Sequence, residues 1–342
     1  MQRTGLVLGA GGVVGQAYHA GVLAALEHDL GWDPRTADVI VGSSAGSVTG
    51  TLLRLGVSAA DLAAWAVEAP LSVESAPLME QLGGEEINDF PPMVARDLLR
   101  GWRLPTPELL LRLARRPWAF RPTVAALTLL PSGRIDVAAR AEVLRAVTGE
   151  NWPDGLWICA ARRSDGGRVV FGRPGSPQAT VASAVAASCA IPGYFSPVRI
   201  NGVQYFDGGV HSPTNADVLR SSELDTVVVV SPMSAAHGRS VSLDAPMRWS
   251  AHRRLEHEVR KLQSAGTTVV RFEPGPRCLG AMGLNAMGLD RSDRVVQQAF
   301  LEAGRRASRG QAAERLSSLA VRKSRRPAVP AEPTPGIVPT PS

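Results

Sequence analysis

The sequence predicts an α/β fold, and three observations carry the prediction. Near the amino terminus the apolar run Thr4–Leu8 enters a glycine-rich turn, Gly9-Ala-Gly-Gly-Val-Val-Gly15, followed at once by residues with helical spacing. A second apolar run, Val39–Val41, enters Gly42-Ser-Ser-Ala-Gly46 and a second helical stretch. Later, the β-branched runs Thr226–Ser231 and Thr267–Phe272 read as buried strands beside segments of helical periodicity around 248–264 and 292–319. Short apolar strands alternating with helices are the pattern of βαβ units.

In the first unit, Tyr18, Val22, Leu23, Ala25 and Leu26 recur at helical spacing, and Gly31 ends the helix. The glycines therefore sit where a strand's carboxyl end meets a helix's amino end. Free backbone N–H groups point outward there, and the helix dipole favours negative charge. A dinucleotide site would need an acidic residue at the end of the second strand, but that strand ends in Gly42-Ser43-Ser44. A phosphate-gripping loop would need Gly-Lys-Ser or Gly-Lys-Thr, and neither tripeptide occurs. Two readings stay open: an oxyanion hole built from amides near Gly11 and Gly12, or glycines that only allow close helix–strand packing.

In the second unit, a serine between glycines on a strand-to-helix turn is how an elbow presents a nucleophile, with Gly42 and Gly46 letting backbone pass close on either side. Ser44 is the candidate attacking oxygen; the same pattern also suits a helix N-cap. A serine nucleophile needs a proton acceptor. His19 and His28 fall on the first helix, His237, His252 and His257 in polar stretches expected to be exposed, and His211 just past a turn. None has an acid at a spacing that marks a triad. Asp207, in Asn201-Gly-Val-Gln-Tyr-Phe-Asp-Gly-Gly209, is the better candidate, although Asp-Gly is equally a common hairpin turn. An elbow ending only the second strand comes too early for the common serine hydrolase topology.

Gly9-Ala-Gly-Gly-Val-Val-Gly15, Tyr18-His-Ala-Gly-Val-Leu23, Gly42-Ser-Ser-Ala-Gly46, Ala184-Val-Ala-Ala-Ser-Cys-Ala-Ile-Pro-Gly-Tyr-Phe-Ser-Pro197 and Asp207-Gly-Gly209, in that order, resemble the motifs of the patatin-like phospholipases. The resemblance implies a three-layer sandwich, a mostly parallel central sheet flanked by helices, with an α-helical cap insertion. It implies hydrolysis of lipid acyl esters by a Ser-Asp dyad: Ser44 as nucleophile, Asp207 as proton acceptor, and the amides of Gly11, Gly12 and Val13 as oxyanion hole. Gly9, Gly15, Gly42, Gly46, Gly208 and Gly209 would support the loops. No metal, cofactor or histidine is required in that scheme. The family's glycine motif commonly carries Arg or Lys before its last glycine; here that position is Val14. A fold-keeping relative that binds lipid or a partner without catalysis is the second reading, and a nucleotide-binding enzyme a distant third.

With 342 residues, 44% of them hydrophobic, the chain can bury a large core. Cys159, Cys189 and Cys278 are odd in number with no CxxC, which points to reduced thiols and a cytoplasmic setting rather than disulfides or zinc. The first residues lead straight into a strand, so no signal peptide is expected, nor any membrane span.

The net charge of +6 is unevenly spread. Between Pro91 and Ile135 lie Arg96, Arg100, Arg103, Arg112, Arg115, Arg116, Arg121 and Arg134, interleaved with leucines, Trp102 and Trp118. Arginine with leucine and tryptophan suits a surface that meets anionic lipid, so residues 91–135, within a helical cap at 70–135, are expected to make peripheral membrane contact. An ordinary packed helical insertion fits the same residues. Residues 1–320 are expected to form the hydrolase domain. The Pro-rich, basic stretch 321–342 is expected to be a disordered tail, and no nucleic acid partner is expected.

Overall fold

Thr4–Leu8 (β1) is buried along its whole length, so both faces of this strand must be covered by other elements. In this computed structural model, which describes residues 2–82, 133, 135–235 and 244–320, they are. Helices Gly12–Leu30 (α1) and Ala45–Arg54 (α2) follow β1 and Val39–Ser43 (β2). Gly31, with φ 64°, closes α1 in the left-handed conformation that glycine adopts without strain. Ala59–Ala66 (α3), Ala76–Gln81 (α4) and Val137–Thr148 (α5) come next, then Leu156–Arg162 (β3) and Arg168–Phe171 (β4). Val181–Cys189 (α6), Val198–Ile200 (β5), Val203–Asp207 (β6) and Thr226–Val230 (β7) lead to Ala245–Gln263 (α7) and Thr268–Phe272 (β8). Pro276–Met282 (α8), Ser292–Ala307 (α9) and Gly310–Ala320 (α10) complete the described chain.

The strands form one sheet in the order β5-β6-β3-β2-β1-β7-β8, with β4 beside β3. The central pairs β3·β2, β2·β1, β1·β7 and β7·β8 are parallel; β4 and β6 run antiparallel to β3. Alternate side chains divide the core between two faces. Leu6, Leu8, Ile40, Ile158, Val228 and Val270 pack with α1, α2, α6 and α9. Val7, Val41, Val227, Val229 and Val269 pack with Leu255, Val259 and Leu262 of α7. The result is helix, sheet, helix: the three-layer sandwich with a mostly parallel sheet.

One pairing positions the site. β4 occupies one edge of β3 from Ile158 to Ala161. The other edge is shared: β2 takes Leu156 to Cys159, and β6, arriving from the opposite direction, takes Ala160 to Arg162. Ser43 thus lies beside Cys159 and Asp207 beside Ala160, so the ends of two strands about 160 residues apart in sequence meet at neighbouring positions of β3.

Two expectations are corrected. The helical stretch at 292–319 is two helices, broken where Gly310 takes φ 55°. His252 is buried, not exposed, because its ring nitrogen lies 2.7 Å from the Glu273 carboxylate. Most of the expected cap, the arginine-rich stretch 91–132 with it, and the tail at 321–342 lie outside the described residues.

Candidate active site

Ser44 stands between β2 and α2 with φ 51° and ψ −121°, a conformation that a residue with a side chain occupies only when its surroundings impose it. The surroundings are a very tight turn. A β-carbon on Gly42 would come within 2.5 Å of the Gly46 carbonyl oxygen. One on Gly46 would come within 1.9 Å of the Leu8 carbonyl oxygen, because α2 lies directly on β1. The elbow is also pinned from outside: the Ser44 N–H donates to the Ser188 hydroxyl at 2.8 Å, which donates to the Cys159 carbonyl at 2.7 Å.

The Ser44 hydroxyl lies close enough to the Asp207 carboxylate to lower its pKa. Asp207 ends β6 and its Oδ1 accepts the Gly209 N–H at 2.7 Å, so Asp-Gly-Gly here opens a short 3-10 turn rather than a hairpin. Burial pushes the Asp207 carboxyl up to about 6, against the lowering effect of the Ser44 hydroxyl and the Gly209 N–H. A carboxyl with such a pKa is ionised at neutral pH and still basic enough to hold a proton transiently. The candidate base facing the serine is thus a carboxylate. His19, fully buried on α1, instead contacts the Thr49 hydroxyl at 3.3 Å, and burial lowers its pKa to about 3.

The glycine loop arrives beside this pair. The Gly9 N–H donates to Val230, Ala10 to Pro213, Val14 to Ala286 and Gly15 to Gly11. Among the described residues the N–H groups of Gly11, Gly12 and Val13 find no hydrogen-bond partner. They belong to the amino-terminal turn of α1, where such donors are left over by helix geometry. Gly12 has φ 63°, suited to glycine. Val14 is buried in the core, so the position where a cation was expected packs inward.

Gly12, Val13 and Ser44 line a common open cavity; Gly11 and Asp207 are not among its lining residues. Its walls are apolar: Val48 and Leu52 of α2, Trp65 of α3, Met79 of α4, Ala141 and Leu144 of α5, Val185 of α6, Phe195 and Met287. Cys189 also lines it beside the serine, with its thiol pushed up to about 12 by burial and by Asp207. Among the described residues no three His, Cys, Asp or Glu side chains are grouped as a metal would require, and no helix is long and apolar enough to cross a membrane.

The structure therefore brings Ser44 beside Asp207 and onto one cavity with Gly12 and Val13, with Gly11 next in the loop. Gly208 and Gly209 follow the acid, Gly9 and Gly15 flank the loop, and Gly42 and Gly46 frame the elbow. Two buried residues that the sequence reading passed over, Ser188 and Asn215, hold this arrangement. Asn215 donates to the Ser43 hydroxyl and to the Gly208 carbonyl. Ser188 lay within a quoted motif; nothing local in the sequence marks Asn215.

No curated protein matches the chain. Among solved structures, VipD from Legionella pneumophila is 13% identical, with 87% of this chain and 67% of that chain covered and a TM-score of 0.38. The type III effector protein ExoU is 18% identical, with 95% and 54% covered and a TM-score of 0.33. The ExoU–SpcU heterodimer from the type III secretion system of Pseudomonas aeruginosa gives 20%, 94%, 63% and 0.30. The chain spans about half to two thirds of the length of these solved chains. The conclusion rests on the family comparison, in which the Patatin-like phospholipase model matches residues 6–220. That match takes in more than half of the sequence, from the first strand to beyond Asp207, and the chain belongs to the patatin-like phospholipase family.

Proposed function

We propose that the protein is a serine acyl hydrolase that cleaves lipid carboxylic esters through a Ser44–Asp207 dyad. The observation that carries this reading is a strained serine beside a buried carboxylate of raised pKa, opening onto an apolar cavity with unpaired amides on its wall. In the first step Ser44 Oγ adds to the ester carbonyl carbon as its proton passes to Asp207. The carbonyl oxygen takes up the negative charge and is held by the amides of Gly12 and Val13, with Gly11 beside them; losing one such donor typically costs about 3 to 4 kcal/mol of barrier. Collapse expels the alcohol portion, which takes the proton from Asp207. Water then attacks the acyl-enzyme, gives a proton to Asp207, and releases the fatty acid as that proton returns to Ser44.

The cavity walls suit an acyl chain, since burying each methylene contributes about 0.8 kcal/mol. Phospholipids and lysophospholipids are the substrates this reading favours, met by peripheral contact with a lipid surface. Narrowing the cavity with Ala141→Trp is expected to lower turnover of long-chain p-nitrophenyl esters relative to butyrate by about tenfold or more. An unchanged chain-length profile would place the acyl chain elsewhere.

The direct test is labelling by a fluorophosphonate, which reacts with activated serines whatever the natural substrate. The parent is expected to be labelled and Ser44→Ala is not. Failure to label the folded parent would favour the non-catalytic, lipid- or partner-binding reading.

A further inference from the structure

The neighbours of the dyad are held by one amide. Asn215 is fully buried and takes φ 53°, a left-handed conformation that asparagine tolerates better than most residues. Its Nδ2 lies 2.9 Å from Ser43 Oγ, 3.2 Å from the Gly208 carbonyl oxygen and 2.7 Å from the Ser212 carbonyl oxygen. Its Oδ1 faces the other way and accepts from Arg168 Nη1 at 3.4 Å. Two carbonyl acceptors on one side and a guanidinium on the other fix which way the amide points. Ser43 immediately precedes Ser44, and Gly208 immediately follows Asp207.

We propose that Asn215 is a positioning residue: by holding Ser43 against Gly208 it sets the separation of the Ser44 hydroxyl from the Asp207 carboxylate. This role rests on the hydrolase reading above. The β3 edge brings β2 and β6 end to end; β2 is held on its other side by β1 and β6 by β5, but both strands turn away at the next residue. The Asn215 amide reaches both turns, through Ser43 and Gly208. The supporting loop is itself anchored: buried Glu258 on α7 accepts from the Thr214 hydroxyl at 2.7 Å and from the Ala216 N–H at 2.9 Å. Arg168 is held by Asp217. The amide is thus clamped at its own backbone and at both ends of its side chain, which lets it transmit position rather than follow it.

Removing the amide should let the two turns drift apart. A displacement on the order of 1 Å between reacting groups is enough to cost about a hundredfold in rate. Drift would also weaken the influence of the Ser44 hydroxyl that lowers the Asp207 pKa, moving the acid limb of the reaction upward. Cys189, the titratable side chain on the helix facing Asp207, stays a neutral thiol on both sides of pH 6, so that limb reads the carboxylate.

The test is the rate of fluorophosphonate labelling on both sides of pH 6 for the parent, Asn215→Gly and Trp32→Leu. Glycine keeps the left-handed backbone and adds no charge. Trp32→Leu opens a cavity just beyond the far end of α1 and controls for lost stability. Asn215→Gly is expected to label about 10 to 100 times more slowly at neutral pH and to show an acid limb displaced upward. Trp32→Leu should lower the melting temperature and leave both quantities as in the parent. Equal rates and coincident limbs for the parent and Asn215→Gly would overturn the role while leaving Ser44 as nucleophile. If the parent itself is not labelled, the hydrolase reading fails instead. Should Asn215→Gly not fold, Asn215→Asp keeps the side-chain volume and turns an acceptor toward the two carbonyls; labelling at the parent rate by that variant would likewise overturn the role.

Discussion

Asp207→Asn is expected to reduce ester turnover by about a thousandfold or more while leaving the protein at least as stable as the parent at neutral pH. Both halves follow from the same burial. The asparagine amide can still accept the Gly209 N–H through its oxygen, but its NH2 edge donates to Ser44 and has no lone pair to receive the serine proton. The hydroxyl remains in place, without the acceptor it needs.

The stability half follows from the raised pKa. With a folded-state value of about 6 against an ordinary 3.8, the native protein binds the Asp207 proton more tightly than the unfolded chain does. The stabilisation this gives is complete below pH 3.8 and is lost as the pH rises through 6. At neutral pH the ionised, buried carboxylate therefore weighs against folding, by an amount of up to about 3 kcal/mol. Asparagine carries no charge at any pH, so the variant's advantage should be visible at neutral pH and vanish in acid. Parent activity should run the opposite way, rising through a limb near pH 6 as the base ionises. Melting temperatures and pH–rate profiles of the two proteins check both halves. A fully active Asp207→Asn would remove the dyad.

Gly46→Ala is expected to destabilise the protein by about 3 kcal/mol or more, a loss beyond the usual cost of one added methyl. The new β-carbon would lie 1.9 Å from the Leu8 carbonyl oxygen and 2.4 Å from its carbon, and neither is the end of a flexible side chain. Relief requires α2 to lift off β1 or β1 to leave its register with β2 and β7. Either movement carries Ser44 with it, so fluorophosphonate labelling should fall in the fraction that remains folded. Gly50, one turn along the same helix, supplies the contrast. The nearest atoms a β-carbon there would meet are the Ile40 Cγ2 methyl at 3.0 Å, the Leu156 Cδ1 at 3.5 Å and the Leu8 Cδ1 at 3.7 Å, all side-chain atoms. Alanine also favours a helix interior over glycine by about 1 kcal/mol, so Gly50→Ala should stay within about 1 kcal/mol of the parent. Chemical denaturation of the two variants measures the difference; equal stabilities would mean that α2 does not sit as tightly on β1 as the structure has it.

The strand β1, the glycine turn, the start of α1 and the elbow were legible because each depends on residues a few positions apart. An apolar run of five residues buries as a strand, glycines permit the turn, and the helix that follows must leave amide groups unpaired. The sandwich of three layers and the role of Asp207 came through the family resemblance, because Asp-Gly-Gly alone reads as well for a hairpin. The burial of His252 is not legible locally, because its partner, Glu273, lies on a different element. The break before α10 leaves no mark in the pattern, since helical periodicity continues on both sides of it.

What the sequence by itself determined is the chemistry available: a serine on an elbow, an acid before two glycines, and a run of spare amides at a helix start. Only the tertiary structure decided that these meet. β2 and β6 approach from opposite directions and stop at adjacent residues of β3, and that register is fixed by pairings between segments more than a hundred residues apart. Burial of Asp207, the apolar walls contributed by helices α1 to α6, and the Asn215 amide that spans both turns all follow from that meeting. Local backbone preferences extend over a few residues, whereas desolvation and strand register belong to neighbours that the folded chain alone brings together.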